Sequence, residues 1–344
     1  MKAYFDKINF ESFISQRSTD TYKFERCNDM IKRHLDVRLN MSLEEFKSSP
    51  LCVSWLTTMT DGAKRFPQPR PNDFNFKPIK DVSSFIDGFS KDDYSAIYLL
   101  DDTKVDDVIH NGNFLIGKKG EELDVLYKLI IDEDTNFITS LPPKTHFVGT
   151  KDWAPLDNYV RPCSDIIIRD AFLLFNDRLR PYKKNIYSLI QKLSSGIKDT
   201  NLNIVIICMK QNTDTSRFEP DWDRIRKEIK DILKKEKNID AKITYVVANQ
   251  KKDVGHDRTI FTNYIHYMPN DCLGNFYGIN GDYSSESDQF TINCIATEKN
   301  YREAFDFLDR MQGLIYDIMM GNIQGGEVKE DPAGGALSNY LTFQ

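Results

Sequence analysis

Three short segments with the pattern of β-strands, separated by two amphipathic stretches, constrain this chain more than any other feature. The segments are Asp165–Asp170, Asn203–Cys208 and Ala241–Val247, and the second of them is a continuous apolar run. A run without polar alternation is typical of a parallel strand that is covered on both faces. The stretches between them, Leu179–Ser195 and Asp221–Lys237, carry apolar residues at helical spacing. This β-α-β-α-β order predicts an α/β fold with right-handed crossovers, in which these three strands run parallel within a mixed sheet.

The length of the chain and its prolines predict several regions. At 344 residues the chain exceeds the ~250–300 residues at which a single core usually stops growing. Prolines cluster at Pro67, Pro69 and Pro71, and again between Pro142 and Pro162, and such clusters interrupt regular structure. We predict four regions: a helical N-terminal segment at 1–65, a smaller α/β domain at 66–145, a larger α/β domain at 146–320 and a flexible tail at 321–344.

Local patterns support these regions. Tyr22–Leu35 has helical spacing, and Ser42 and Glu45 form a capping-box signature. Further along, strands are predicted at 95–100, 114–116 and 290–296, and helices at 103–111, 121–131 and 300–320. The tail beyond Gly321 is rich in glycine and polar residues, so we expect it to stay flexible unless a partner orders it.

Composition narrows the cellular setting. The six cysteines are scattered without a C-x-x-C pair, which indicates buried thiols in a reducing compartment rather than disulfides or a zinc site. The N-terminus carries charges too early for a secretory signal, and no stretch approaches the ~20 apolar residues that cross a bilayer. We therefore expect a cytoplasmic protein. A net charge of −6 argues against a surface that is basic throughout, although a local basic groove is compatible with it.

The segment His256-Asp257-Arg258, with Asn263 and Tyr264 shortly after it, carries the clearest chemistry. We predict that it opens a fourth strand, where residues two positions apart project from the same face. An imidazole and a guanidinium that project together can bind a phosphate group. A structural interpretation is also open, in which Asp257 and Arg258 form a surface pair and His256 packs at the start of a strand.

The strand order followed by a His-x-basic strand resembles the phospholipase D-like superfamily, in particular the divergent branch that includes the C-terminal domain following MIT domains. The resemblance covers about residues 153–320 and includes Asp170 at the end of the first strand. Active members use a His-x-Lys-x4-Asp motif in which His attacks phosphorus, Lys binds phosphate oxygens and Asp holds the imidazole. The resemblance places His256, Arg258 and Asn263 on these three catalytic positions.

The departures from that motif imply a degenerate site. Arg258 keeps a permanent charge and can bind phosphate through two hydrogen bonds, whereas Asn263 lacks the carboxylate that would stabilise a charged imidazole. We therefore expect a pseudoenzyme that binds a phosphate-bearing ligand, namely nucleic acid, without a cofactor, in a prokaryotic phage-defence assembly. The further ligand-binding candidates at the same sheet edge are Asp170, Lys210, Arg217, Asp257 and Tyr264.

Two enzymatic alternatives remain open. In the first, the protein is a metal-independent phosphodiesterase or nuclease with His256 as nucleophile. The superfamily builds each site from two motifs and this chain has one, so that activity implies a homodimer. In the second, Asp101, Asp102 and Glu121 form a metal-dependent nuclease site in the smaller domain, although Asp102 and Glu121 equally suit the first turns of helices.

Overall fold

The computed structural model describes two compact units. One lies within Met1–Asn136 together with Ile295–Tyr301, and the other within Phe137–Cys294 together with Arg302–Phe343. The described residues are 2–34, 36–60, 96–99, 115–117, 120–130, 139–140, 143–157, 159–160, 163, 165–174, 182–195, 197, 201–210, 220–262, 265–271, 273–278, 280–283, 289–294 and 298–334.

The first unit contains a parallel sheet with the strand order β2-β1-β3-β4. Its strands are β1 (Lys2–Asp6), β2 (Asp36–Asn40), β3 (Ala96–Leu99) and β4 (Leu115–Gly117). Its helices are α1 (Lys7–Ser15), α2 (Thr21–His34), α3 (Leu43–Ser48), α4 (Pro50–Thr60) and α5 (Glu122–Ile130). The capping box predicted at Ser42 and Glu45 is confirmed at the start of α3, where both reciprocal hydrogen bonds form.

The first unit's core is an aromatic cluster. Phe10 of α1 packs edge-on against Phe5 of β1 and Trp55 of α4, with ring centroids 5.3 Å and 4.7 Å away. Phe13 lies 4.9 Å from Phe24 of α2. Edge-to-face aromatic pairs stabilise a core beyond the area that they bury, so the cluster ties three helices to the central strand.

The N-terminal segment is not purely helical, contrary to the prediction from its sequence. It contributes β1 and β2, which pair with each other in parallel from Lys2 opposite Asp36 to Asp6 opposite Asn40. Each strand is five residues long, and its partner lies more than a helix away along the chain. Such short strands become stable by pairing with strands that are distant in the sequence. The spacing of apolar residues within each segment therefore does not predict them.

The second unit contains an eight-stranded mixed sheet in its described part, with the order β12-β8-β7-β6-β9-β10-β11-β5. The strands are β5 (Thr139–Ser140), β6 (Asp165–Arg169), β7 (Asn201–Met209), β8 (Asp240–Ala248), β9 (Thr259–Thr262), β10 (Ile265–Pro269), β11 (Phe290–Cys294) and β12 (Glu327–Lys329). The helices are α6 (Pro143–His146), α7 (Tyr182–Leu193), α8 (Trp222–Lys237), α9 (Lys251–Val254) and α10 (Glu298–Met319).

The predicted β-α-β-α-β order is present as β6-α7-β7-α8-β8, and these three strands are parallel. All five residues of β6 are buried, as expected for a strand covered on both faces. The N-cap Asp221 accepts a hydrogen bond from the Arg224 amide, and Asn238 ends α8 in the left-handed conformation (φ 52°). Beyond β6 the sheet continues with antiparallel strands, so the predicted mixed sheet is confirmed.

None of the described helices combines the length and the apolar composition that crossing a membrane requires.

The region predicted as a flexible tail contains an ordered edge strand. Glu327–Lys329 forms β12, which pairs antiparallel with β8. Just beyond it, the carboxylate of Asp331 is buried and accepts hydrogen bonds from the amides of Ile243 and Ala333 and from Lys230 Nζ. The prediction was wrong for this stretch because it rested on the glycine content. The buried Asp331 orders the stretch through partners that are distant in the sequence.

The pKa of Asp331 depends on this anchor. Burial raises the pKa of its carboxyl, but the hydrogen bonds from the two amides and from Lys230 outweigh burial and leave the pKa below its ordinary value. A carboxyl with a lowered pKa stabilises the fold fully above its ordinary pKa, and that contribution is lost as the pH falls through the folded-state value.

We predict that Asp331→Asn lowers the free energy of unfolding by roughly 2 kcal/mol, the scale of charge-assisted hydrogen bonds. The amide of Ile243, which donates to Asp331 Oδ2 over 2.9 Å, should lose protection in hydrogen exchange measured by NMR or mass spectrometry. Glu330→Gln is the matched control because the exposed neighbour Glu330 changes charge equally. Equal protection of Ile243 in both variants would contradict the anchoring role.

Candidate functional site

The carboxyl ends of β6, β7 and β8 meet at one edge of the second unit's sheet, hereafter the carboxyl edge. These strands are parallel and end at Arg169, Met209 and Ala248. Strand β9 runs antiparallel to β6 and begins there, with Thr259 opposite Arg169. The loop that precedes β9 therefore reaches the carboxyl edge, where ligands commonly bind in open α/β sheets.

His256, Asp257 and Arg258 lie in this loop and not in a strand, contrary to the prediction that they open the fourth strand. Helix α9 ends at Val254, and Gly255 follows with φ 84° and ψ 179°, a region essentially restricted to glycine. This conformation redirects the chain, so regular pairing starts three residues after His256, at Thr259. The loop 255–258 thus presents its side chains from a turn.

A buried arginine positions this loop. Arg169, the last residue of β6, is 7% exposed. Its Nε donates a 2.7 Å hydrogen bond to the carbonyl of Val254, and its Nη2 donates to the same oxygen. A Cβ atom on Gly255 would lie 2.5 Å from Nη2. Gly255 is therefore needed both for its backbone conformation and for the close approach of the guanidinium.

The three loop side chains have different surroundings. His256 is exposed and has no hydrogen-bond partner within the described part of the chain. Asp257 does not pair with its neighbour Arg258 but lies 3.7 Å from Arg310 Nη1 of α10. Arg258 is half-buried, and its Nη1 donates to the carbonyl of Asn270 over 3.2 Å. The local Asp257–Arg258 pair of the structural interpretation is thus replaced by two longer-range contacts.

Of the other predicted site residues, Asp170 and Lys210 lie within the described part of the chain. Asp170 is fully buried, and its carboxylate accepts hydrogen bonds from the amides of Phe172 and Leu273; it holds two loops together rather than facing a ligand. Lys210 lies at the carboxyl edge, where its amide donates to the carbonyl of Ala248. The remaining candidates, Asn263, Tyr264 and Arg217, lie outside the described residues.

His266 of β10 shows what a structural histidine looks like in the same sheet. Its ring stacks on Phe261 at 4.0 Å and meets the edge of Phe307 of α10 at 5.2 Å. Its Nε2 shares a 3.0 Å hydrogen bond with Thr259 Oγ1. Burial lowers the pKa of His266 to about 3, so the ring is neutral at physiological pH. His256, in contrast, is open to solvent.

Of the three acidic residues considered for a metal site, one lies within the described part of the first unit. Asp101 and Asp102 lie outside the described residues, and Glu121 is exposed. Its buried neighbour Glu122 accepts hydrogen bonds from Asn9, Ser12 and Gln16 and from the amide of Gly120. Glu122 therefore joins α5 to α1, and among the described side chains no group of His, Cys, Asp and Glu is placed to hold a metal ion.

Two arginines at the carboxyl edge were missed by sequence reasoning. Arg169 carried a signal, since a charge inside the segment Asp165–Asp170 is unusual for a strand that is buried on both faces. Arg310 had no such signal in the sequence, because it is one of several charged residues in the helical stretch that forms α10. Its position beside Asp257 follows from the packing of α10 against the sheet.

Comparison with known proteins provides no relative: the chain matches no protein-family model, no curated protein and no solved structure.

We predict that Gly255→Ala costs about 2 kcal/mol or more of folding stability, since this backbone region costs an L-residue about 1–3 kcal/mol and the new methyl group collides with Arg169. Urea denaturation followed by circular dichroism measures the loss. Gly149→Ala is the matched control because Gly149 has a similar φ (77°), and its new methyl group would have no atom within 4 Å. Equal losses in the two variants would show that the Arg169 contact does not constrain the loop.

The buried His266 should make the stability of the fold depend on pH. A histidine with a lowered folded-state pKa stabilises the fold fully above its unfolded pKa of about 6.5, and the contribution is lost as the pH falls from about 6.5 towards 3. The slope is at most about 1.4 kcal/mol per pH unit. His266→Phe should flatten the fall in unfolding free energy between pH 6.5 and 4.5, whereas substitution of the exposed His146 by Phe should leave it unchanged. An unaltered slope in His266→Phe would refute the assignment.

Proposed function

We propose that the second unit binds the phosphate backbone of a nucleic-acid strand at the carboxyl edge, with His256 and Arg258 as contacting residues. The observation that carries the proposal is the loop 255–258, which presents an exposed imidazole and a half-buried guanidinium from a turn fixed by Arg169. A fixed guanidinium loses less conformational entropy when it binds an anion than a freely rotating one.

The distribution of charge favours an extended polyanion over a single small anion. Lys251 and Lys252 of α9 precede the loop, and Lys210 follows β7 at the same edge. Lys251 Nζ lies 5.1 Å from the ring centroid of Phe172, which keeps the amine beside the carboxyl edge. Several cations along one edge match the repeated charges of a nucleic-acid backbone.

The surroundings of His256 favour binding over catalysis. A nucleophilic histidine needs a partner that fixes its tautomer and stabilises its charged form. Among the described residues no side chain provides one. The phosphodiesterase alternative further requires a second His256 from another copy of the chain, so we retain hydrolysis as an arm of the test below and not as the proposed activity.

We also propose that the second unit is a divergent phospholipase D-like domain. The support is the order β6-α7-β7-α8-β8, followed by a strand that begins next to a His-x-Arg sequence. The replacement of the family's Lys by Arg258 and of its Asp by Asn263 accords with a domain that has retained anion binding without the full catalytic motif.

We predict that His256→Ala/Arg258→Ala weakens binding of labelled single-stranded DNA or RNA at least about tenfold, since a charge-assisted hydrogen bond contributes roughly 1.5–3 kcal/mol. Fluorescence anisotropy at several salt concentrations measures affinity and should show a salt dependence shallower by about one unit in the double-logarithmic plot. Duplex DNA and phosphoinositide vesicles serve as competing ligand classes, and preferential binding of the vesicles would reject a nucleic-acid ligand.

Lys235→Ala provides the control for lost charge. Lys235 is exposed near the C-terminal end of α8, which precedes β8 and so lies at the opposite edge of the sheet. Equal weakening in the control and in the double variant would attribute binding to overall charge and contradict the proposed site. Incubation of the same nucleic acids with wild-type protein and with EDTA tests hydrolysis: metal-independent cleavage lost in His256→Ala would replace binding by catalysis as the function.

A further inference from the structure

We propose that Asp257 is an internal competitor for the anion, and that Arg310 and the buried Arg169 become part of the binding site when a phosphate group displaces the Asp257 carboxylate. This inference rests on the proposed function, because it adds residues and a regulatory element to the same site. It adds two cations to the site, Arg169 from β6 and Arg310 from α10, which are distant from each other in the sequence.

The first support is the unbalanced charge of Arg169. Its Nε and Nη2 both donate to one neutral carbonyl, that of Val254, and its buried Nη1 has no hydrogen-bond partner within the described residues. A buried guanidinium that is bonded to a neutral group and has an idle donor is costly unless an anion compensates it. Arg169 therefore favours negative charge in the adjoining loop.

Asp257 supplies the negative charge that acts on Arg169. Burial lowers the pKa of the Arg169 guanidinium, the carboxylate of Asp257 raises it, and the neighbouring positive charge of Arg310 lowers it. Because Asp257 acts on Arg169 and also lies 3.7 Å from Arg310, its single carboxylate interacts with two guanidinium groups.

Arg310 is held in place independently of Asp257. Its guanidinium carbon lies 4.5 Å from the ring centroid of Phe307, and its Nε donates to the carbonyl of Asp306 over 3.1 Å. Phe307 in turn packs against the buried ring of His266. The guanidinium thus stays beside the loop when its partner leaves, as a preformed binding group requires.

The Asp257–Arg310 contact is weak enough to exchange. Its 3.7 Å separation joins side chains that are 50% and 56% exposed, and exposed pairs of this kind contribute little net free energy. A phosphate group offers more acceptor oxygens and binds a guanidinium through two hydrogen bonds. Exchange of Asp257 for phosphate would therefore leave both arginines with an anion while the loop carboxylate moves into solvent.

The deciding experiment compares Asp257→Asn with Asp253→Asn. Both substitutions remove one negative charge near the carboxyl edge, but Asp253 lies in α9 and has no side-chain partner within the described part of the chain. We expect Asp257→Asn to bind labelled single-stranded nucleic acid roughly five- to tenfold more tightly than wild type, the scale of one unit charge removed near the protein surface. Asp253→Asn should change affinity less than about twofold, because screening weakens more distant charges.

Arg310→Ala should weaken binding in the wild-type background and should abolish most of the gain in Asp257→Asn. Inorganic phosphate, titrated as a competitor, identifies the source of the anion: displacement at concentrations close to those of the labelled strand indicates a small phosphate ligand at the same residues. Circular dichroism melting curves verify that each variant is folded, and Arg310→Gln, which keeps a polar side chain but removes the charge, replaces Arg310→Ala if the latter unfolds.

The outcomes separate this inference from the proposed function. If His256→Ala/Arg258→Ala abolishes binding while Asp257→Asn behaves like Asp253→Asn, the site stands and the competitor role of Asp257 is rejected. If neither wild type nor Asp257→Asn binds any of the probes, both are rejected. If Asp257→Asn binds the labelled strand more tightly, Asp253→Asn does not, and Arg310→Ala removes this gain in affinity, the inference is supported. This holds even if His256 contributes nothing to binding.

Discussion

The hydrogen bonds from the Arg169 guanidinium to the Val254 carbonyl are the contacts on which the candidate site depends. They join the end of a buried central strand to the end of a one-turn helix. Gly255 permits this approach, and its backbone conformation then turns the chain so that His256 faces solvent. A four-residue helix has little stability of its own, so the contact with Arg169 helps to fix the position of the loop on the sheet.

The mixed sheet explains why the loop lies where it does. Strands β6, β7 and β8 deliver their carboxyl ends to one edge, and the antiparallel β9 must begin at that same edge in order to pair with β6. A wholly parallel sheet would have required a long crossover before β9 and would have placed its first residue at the other edge. The change of direction thus gathers residues from strands, a loop and α10 into one region, and this supports the proposal of an anion site there.

Two histidines ten residues apart differ in burial. His266 is enclosed by Phe261 and Phe307 and stays neutral, and through Phe307 it supports the helix that carries Arg310. His256 is open to solvent on a loop. Asp170 and Glu122 resemble His266 in this respect, since both carboxylates are buried, accept several hydrogen bonds and hold segments of the fold together.

The sequence by itself determined the elements with strong local signals: the strand patterns of β6, β7 and β8, the amphipathic α7 and α8, and the capping box at Ser42. Each of these depends on residues within one element, so periodicity and composition suffice to predict it. Tertiary structure alone decided the short parallel strands β1 and β2, the edge strand β12 anchored by Asp331, the placement of His256 in a turn, and the partnership of Asp257 with Arg310. These features depend on contacts between residues that are distant in the chain, and a side chain's burial and charged neighbours exist only after the chain has folded.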